Sequence, residues 1–252
     1  MAQDLKGGEY IDTMSDLKGG ELLTLPKDGT KFYVKTWKCT GTPIAVVYHF
    51  HGMGEHINRY EHVFSAFAQA GFEVKGLDFM GHGRTQVVNN SVKGATDFET
   101  VFAQMDMLVF GTEHNLPVFL MGHSLGGLLV LAYAQSRGPR IPNLRGVICQ
   151  APALKVIPLP LGILAKGLGG NVLKHLQAAN GRSTGAPKVT GKTFKGVVSC
   201  QAKLLANAAS FKYSIIICHS PADKLTGIKG SEAFSAKVGR TNKIFEKTEE
   251  VS

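Results

Sequence analysis

Pro117-Val-Phe-Leu-Met-Gly-His-Ser-Leu-Gly-Gly127 is an apolar run that ends abruptly in Gly-x-Ser-x-Gly, and Leu128-Leu-Val-Leu-Ala-Tyr-Ala134 follows at once. The order reads as strand, tight turn, helix, with Ser124 on the turn. Glycines on both sides of the serine let neighbouring backbone approach with no Cβ in the way. The turn lifts the hydroxyl above the sheet. The helix start places backbone N–H groups and the positive end of the helix dipole beside it. Ser124 therefore stands at a nucleophile position.

Outward from this turn, strand-like and helix-like blocks alternate. Lys31–Lys38 alternates with period two, as expected of a half-buried antiparallel strand near a sheet edge. Ile44–Phe50 is a near-continuous apolar run, the pattern of a central strand. Tyr60–Ala70 carries Val63, Phe64, Phe67 and Ala68 at helical spacing and stops at Gly71. Further strands are expected at Phe72–Asp78, Pro117–Met121, Leu144–Cys149, Tyr213–His219 and Lys243–Glu246, and a helix around Phe98–Phe110. This rhythm predicts an α/β protein with a mostly parallel, doubly wound sheet and helices on both faces. In such sheets functional groups gather in loops beyond the carboxyl ends of the strands.

The rhythm breaks between residues 151 and 211, which are rich in Pro and Gly and hold helix-like pieces at Gly162–Gln177 and Phe194–Ala208. The expected organisation is one domain. Residues 1–21 form a flexible leader in which Asp4-Leu-Lys-Gly-Gly-Glu9 recurs as Asp16-Leu-Lys-Gly-Gly-Glu21. Residues 22–150 and 212–252 form the core, and 151–211 is a helical lid inserted over the strand ends.

The chain has 252 residues, 44% of them hydrophobic, enough for one sizeable core. No apolar stretch reaches the roughly 18–20 residues that span a bilayer. The start has no signal-peptide layout. Cys39, Cys149, Cys200 and Cys218 show neither metal-site nor disulfide-framework spacing, which points to free thiols and a cytoplasmic or membrane-peripheral location. The net charge of +9 is uneven: between Glu113 and Asp223 there is no acidic residue, and eight lysines and arginines fall within 151–211. A basic, apolar segment suits the surface of an anionic membrane or lipid droplet, and a solvated basic face is the competing reading. Nucleic acid is not expected as a partner, because aromatic interleaving and nucleic-acid motifs are missing. No dinucleotide fingerprint, P-loop or metal-ligand cluster occurs, so no cofactor and no metal is expected.

Acyl transfer from serine needs donors for the oxyanion, a base, and an acid to orient the base. The loop His51-Gly-Met-Gly-Glu-His56 directly follows a central strand, and its Met53 N–H is expected to pair with the N–H of Leu125. Asp223 is the first carboxylate after Glu113 and lies in a loop leaving a strand, where the chain order expects the acid; a plain surface aspartate is the other reading, and Glu232 is its rival. No base is found. All nine histidines precede Asp223. His123 is expected to point away from the reacting centre, His51 and His56 to make structural hydrogen bonds, His82 to brace a turn, and His49 and His219 to be satisfied within the fold. His62, His114 and His175 read as helix-face or loop residues.

His51-Gly-Met-Gly-Glu-His56 with Arg59-Tyr60, Asp78-Phe-Met-Gly-His-Gly83, Gly122-His-Ser-Leu-Gly-Gly127, Ala151-Pro-Ala153 and Ala222-Asp-Lys224 together resemble the monoacylglycerol lipase and lysophospholipase-type group of α/β-hydrolases. The resemblance covers roughly 22–155 well and 212–246 fairly. It implies Ser124 as nucleophile, Asp223 as triad acid, Met53 and Leu125 N–H groups as the oxyanion hole, and lipid esters as substrates beneath a helical lid. In that group a histidine follows the last strand. Here Lys247-Thr-Glu-Glu-Val-Ser252 follows, with Glu250 near the expected position, which reads as a C-terminally shortened form without the final helix. Two functions are expected from this pattern: a serine hydrolase of lipid esters, or a catalytically impaired relative that binds or regulates lipid.

Overall fold

The computed structural model describes residues 17–111, 115–155, 189–239 and 243–248. Its strands are β1 (Gly20–Thr24), β2 (Lys31–Trp37), β3 (Ala45–Phe50), β4 (Phe72–Leu77), β5 (Val118–His123), β6 (Leu144–Gln150), β7 (Ser214–His219) and β8 (Lys243–Lys247). The helices are α1 (Glu61–Gln69), α2 (Gly83–Val88), α3 (Phe98–Phe110), α4 (Leu125–Arg137), α5 (Gly191–Ala206) and α6 (Ile228–Lys237). The strands form one sheet in the order β1-β2-β4-β3-β5-β6-β7-β8. β1 and β2 pair antiparallel with each other and β2 with β4, and every other pairing is parallel.

Helices cover both faces, and strand composition follows from that. On one face Val46, Tyr48, Phe50, Leu120, Val147 and Ile217 join a core with Met105 of α3, Leu128 and Leu129 of α4, and Phe234 of α6. On the other, Tyr33, Trp37, Val47 and Val74 meet Phe64 of α1. A central strand such as β3 is therefore buried along its whole length. The expected half-burial of β2 does not hold. Phe32, Tyr33 and Val34 are buried in succession, because the first and third belong to one core and the second to the other.

Four further differences appear along the chain. Gly20 and Glu21, in the stretch read as leader, already lie in β1. Ile44 stands outside β3 and is 59% exposed. α2 forms between the strand expected at Phe72–Asp78 and the helix expected at Phe98–Phe110, where no element is expected, because the buried Asp78 reaches its first turn: Arg84 N–H donates to Asp78 Oδ2 at 2.7 Å and Thr85 Oγ1 to Asp78 O at 2.6 Å. α6 was not anticipated. Phe234 is its one large, fully buried apolar side chain, too little to make a stripe visible in sequence.

α5 begins before the expected Phe194. Thr190 caps it, accepting from Thr193 N–H at 3.2 Å. Thr193 Oγ1 also accepts from Thr96 N–H at 3.1 Å and donates to Thr96 O at 2.8 Å, which ties the helix start to the core. Most of the expected lid, including Gly162–Gln177, lies outside the described residues, as do His114, His175 and Glu250. Among the described residues no helix is long and apolar enough to cross a membrane.

Candidate functional site

Ser124 sits between β5 and α4 with φ 51° and ψ −113°. A non-glycine residue held in such a region costs about 1–3 kcal/mol and persists only when its surroundings over-determine it. Here they do. Ser124 N–H donates to Gln150 O at 2.9 Å, while Ser124 O accepts from Leu128 N–H at 3.1 Å and Ala153 N–H at 2.9 Å. The flanking glycines are sterically required. A Cβ on Gly126 would lie 1.9 Å from Phe50 O and 2.7 Å from His51 O. One on Gly122 would lie 2.4 Å from the Gly126 carbonyl, and one on Gly127 would lie 2.9 Å from Pro152 Cα. Strand, helix and loop thus meet at backbone distance. The serine is neither inside a helix nor remote from the 51–54 segment.

That segment leaves β3 beside the elbow, since Phe50 pairs with Gly122 in the sheet. His51 is buried and bonded on both nitrogens: Nδ1 donates to Gly52 O at 2.7 Å, and Nε2 accepts from Phe79 N–H at 3.1 Å. These partners set its tautomer, and burial drives its pKa well below the usual histidine value, so the ring is neutral. Glu55 N–H closes a turn on Gly52 O at 3.3 Å. Glu55 Oε2 accepts from Gly52 N–H at 2.8 Å, from Tyr60 OH at 2.5 Å and from His123 Nδ1 at 3.2 Å. Burial alone would raise the Glu55 pKa, but these bonds and the His123 ring outweigh it and hold the carboxyl below the usual range. Among the described residues, Met53 N–H and Leu125 N–H enter no hydrogen bond.

Asp223 lies in the loop between β7 and α6. Its Oδ1 accepts from Leu225 N–H at 2.7 Å and Thr226 N–H at 2.9 Å, and its Oδ2 accepts from Thr226 Oγ1 at 2.5 Å. Partial burial would raise the acid, but the His219 ring beside it and the bonds from Thr226 and Leu225 win and hold it well below the usual aspartate range. His219 is buried beneath this loop. Its Nδ1 meets Ser231 Oγ at 2.8 Å, its Nε2 donates to Thr226 O at 2.7 Å, and Asp223 Oδ2 stands 3.5 Å from Nε2. The elbow and this loop share an anchor, because Ala151 N–H donates to Cys218 O at 2.8 Å while Ala153 holds Ser124.

His82 Nδ1 donates to Met80 O at 3.0 Å, the expected turn brace, and burial lowers its pKa to about 4. His123 is tied to Glu55 and also meets Tyr60 OH at 3.1 Å. His62 is an exposed residue of α1. His49 departs from expectation. Among the described residues neither of its nitrogens has a hydrogen-bond partner; its ring lies 4.4 Å from that of Tyr60 and 4.8 Å from that of Phe64, and burial lowers its pKa to about 3.

Sequence reading missed the roles of Glu55 and of the Thr226–His219–Ser231 chain. Glu55 stands inside a motif already singled out, so the signal was present, but its partner His123 is 68 residues away. The rival acid Glu232 forms a 3.0 Å ion pair with Lys247. Among the described residues no group of His, Cys, Asp or Glu is arranged to hold a metal ion.

Comparison with known proteins agrees with this architecture. An uncharacterized abhydrolase domain-containing protein of Dictyostelium discoideum is 29% identical over 86% of this chain, and the chain spans 25% of that protein's length. A monoacylglycerol lipase of Mycolicibacterium smegmatis is 25% identical over 83% of the chain and 81% of its own length. The crystal structure of a soluble variant of the Saccharomyces cerevisiae monoglyceride lipase, in complex with a substrate analog, superposes with a TM-score of 0.71 at 23% identity, covering 90% of this chain and 85% of that one. The fold is that of the α/β-hydrolases. The serine aminopeptidase, S33 family matches residues 41–187, more than half of the sequence, and the chain belongs to that family of hydrolases.

Proposed function

We propose that the chain is a serine hydrolase of lipid carboxylic esters, monoacylglycerol or lysophospholipid in type. Ser124 is the nucleophile, Asp223 the acid that orients the base, and the N–H groups of Met53 and Leu125 the oxyanion donors. The observation that carries this reading is the elbow: a strained serine at a helix start, packed backbone to backbone against a loop whose Met53 N–H has no partner among the described residues. The names of the Mycolicibacterium and Saccharomyces proteins support the substrate class.

In the reaction, Ser124 Oγ loses its proton to a base and bonds to the ester carbonyl carbon. The carbonyl oxygen becomes an oxyanion facing the two amides. The alcohol leaves with the proton, and water then releases the fatty acid from the acyl-serine. The base is the unassigned part. Among the described residues the histidine nearest to Asp223 in sequence, His219, is buried with both nitrogens engaged. That observation favours a second reading, a lipid-binding relative with impaired turnover. Without its base a triad serine loses on the order of 10⁴–10⁶ in turnover.

A fluorophosphonate probe separates the two. Slow labelling that disappears in Ser124→Ala, with weak hydrolysis of monoacylglycerol or p-nitrophenyl esters, is expected of the hydrolase. Background labelling with saturable fatty-acyl binding would favour the impaired relative. Labelling that survives Ser124→Ala would refute the nucleophile assignment.

Peripheral contact with an anionic lipid surface belongs to the same proposal. Lys195 and Lys203 of α5 stand with Phe194 and Val198, 48% and 46% exposed, a basic and apolar combination that such surfaces attract. The four unpaired cysteines fit a reducing, cytoplasmic setting.

A further inference from the structure

The geometry points to Glu55 as a positioning residue that clamps the 51–54 loop onto the serine elbow, through Gly52 on one side and His123 on the other. The inference rests on the proposed reading of Ser124, Met53 and Leu125.

Three donors converge on a single oxygen, Glu55 Oε2. Gly52 N–H belongs to the loop, Tyr60 OH to the turn before α1, and His123 Nδ1 to the residue preceding Ser124. The space is made for this convergence. A Cβ on Gly52 would lie 3.0 Å both from Glu55 Oε2 and from His123 Nδ1. The other oxygen, Oε1, stands 3.6 Å from Arg59 Nη1. Tyr60 is itself seated against His49 and Phe64.

The consequence for the loop is directional. With Gly52 N–H drawn to the carboxylate and Gly52 O occupied by Glu55 N–H, the first and last residues of the turn are tied. Met53 N–H, between them, has no acceptor among the described residues. An amide aimed in advance at a developing oxyanion needs no reorganisation during reaction, which is where such donors gain their effect. The tie to His123 matters equally, because it couples the orientation of this amide to the strand residue that immediately precedes Ser124 and Leu125. A carboxylate suits the hub better than a neutral group, since charge-assisted bonds are shorter and roughly twice as strong.

The test compares Glu55→Gln, Glu55→Ala and the control Glu61→Gln, whose parent pairs with Lys35 on the surface. Two measurements are made on the full chain: fluorophosphonate inactivation, resolved into its saturating rate and its apparent affinity, and hydrogen exchange at residues 51–56 and 123–128. Glu55→Gln is expected to lower the saturating rate about tenfold, short of the roughly 100-fold loss of removing a donor outright. Glu55→Ala is expected to lower it further, with affinity unchanged for both and Glu61→Gln unaltered. Exchange should quicken in both segments and stay constant in β1 and β2. A rate within twofold in Glu55→Ala, or quickening of neither segment, would overturn the proposal. If Ser124→Ala and the parent chain label alike, the serine reading has failed, and the exchange result alone then decides the clamp: quickening in both segments supports it, and quickening in 51–56 without 123–128 refutes it.

Discussion

The serine elbow and the aspartate loop stand at the ends of β5 and β7, only one strand apart in the sheet, yet they are held by opposite means. At the elbow the restraint is repulsive. Gly122, Gly126 and Gly127 stand where backbone atoms of neighbouring elements leave no room for a side chain. Around Asp223 the restraint is attractive and polar, with Thr226, His219 and Ser231 linked into a buried chain of hydrogen bonds. A steric restraint fails abruptly when violated, because close-packed backbone can yield only by moving whole elements. A hydrogen-bonded restraint fails by degrees, one unsatisfied group at a time.

The harshest way to break this contrast is Gly126→Ala. Its methyl group would lie 1.9 Å from Phe50 O, so a loss of about 3 kcal/mol or more, or failure to fold, is expected in urea denaturation. A loss below about 1 kcal/mol would mean that α4 can retreat from β3, and the elbow would then not be rigid. A milder blow falls on the other loop. His219→Leu leaves Ser231 Oγ and Thr226 O without their buried partner, and about 2 kcal/mol is expected on the same assay. Asp223 should stay in place in that variant, since Leu225 and Thr226 still hold it. A change within about 0.5 kcal/mol would show that the polar chain contributes little.

The smallest effect sharpens the polar side through pH. The folded pKa of Asp223 lies below the ordinary 3.8. Its contribution is therefore present above that value and is lost as pH falls through the lower folded one. The stability gap between the parent chain and Asp223→Asn should shrink between about pH 5 and about pH 2, followed by circular dichroism in denaturant. A gap that holds constant over that window would mean the carboxylate is not preferentially stabilised in the folded chain.

The same contrast explains what was legible beforehand. Glycines around Ser124 announce their own reason, because close approach admits no other residue. Asp223 is marked in sequence only as the first carboxylate after Glu113. Glu55 was in plain view but unread, since its significance lies in meeting His123 from another strand. His219 is expected to be satisfied and has its partners in Thr226 and Ser231, whereas His49 carries the same expectation and, among the described residues, has no hydrogen-bond partner on either ring nitrogen. The burial of β2 was misjudged because alternation reports one covered face and cannot reveal that α1 covers the other. α2 escaped notice because the group that holds its first turn, Asp78, lies outside the usual local capping positions.

By itself the order of residues determined the strand–turn–helix at Ser124, the alternation of strands and helices, and the fold class, all of which follow from steric rules and periodicities acting over a few residues. Tertiary structure alone decided which N–H groups are spent within the described residues, how Glu55 gathers three donors on one oxygen, and why a buried histidine lies under Asp223. Such arrangements depend on burial and on partners brought together from distant parts of the chain, and a low-dielectric interior gives those meetings their strength.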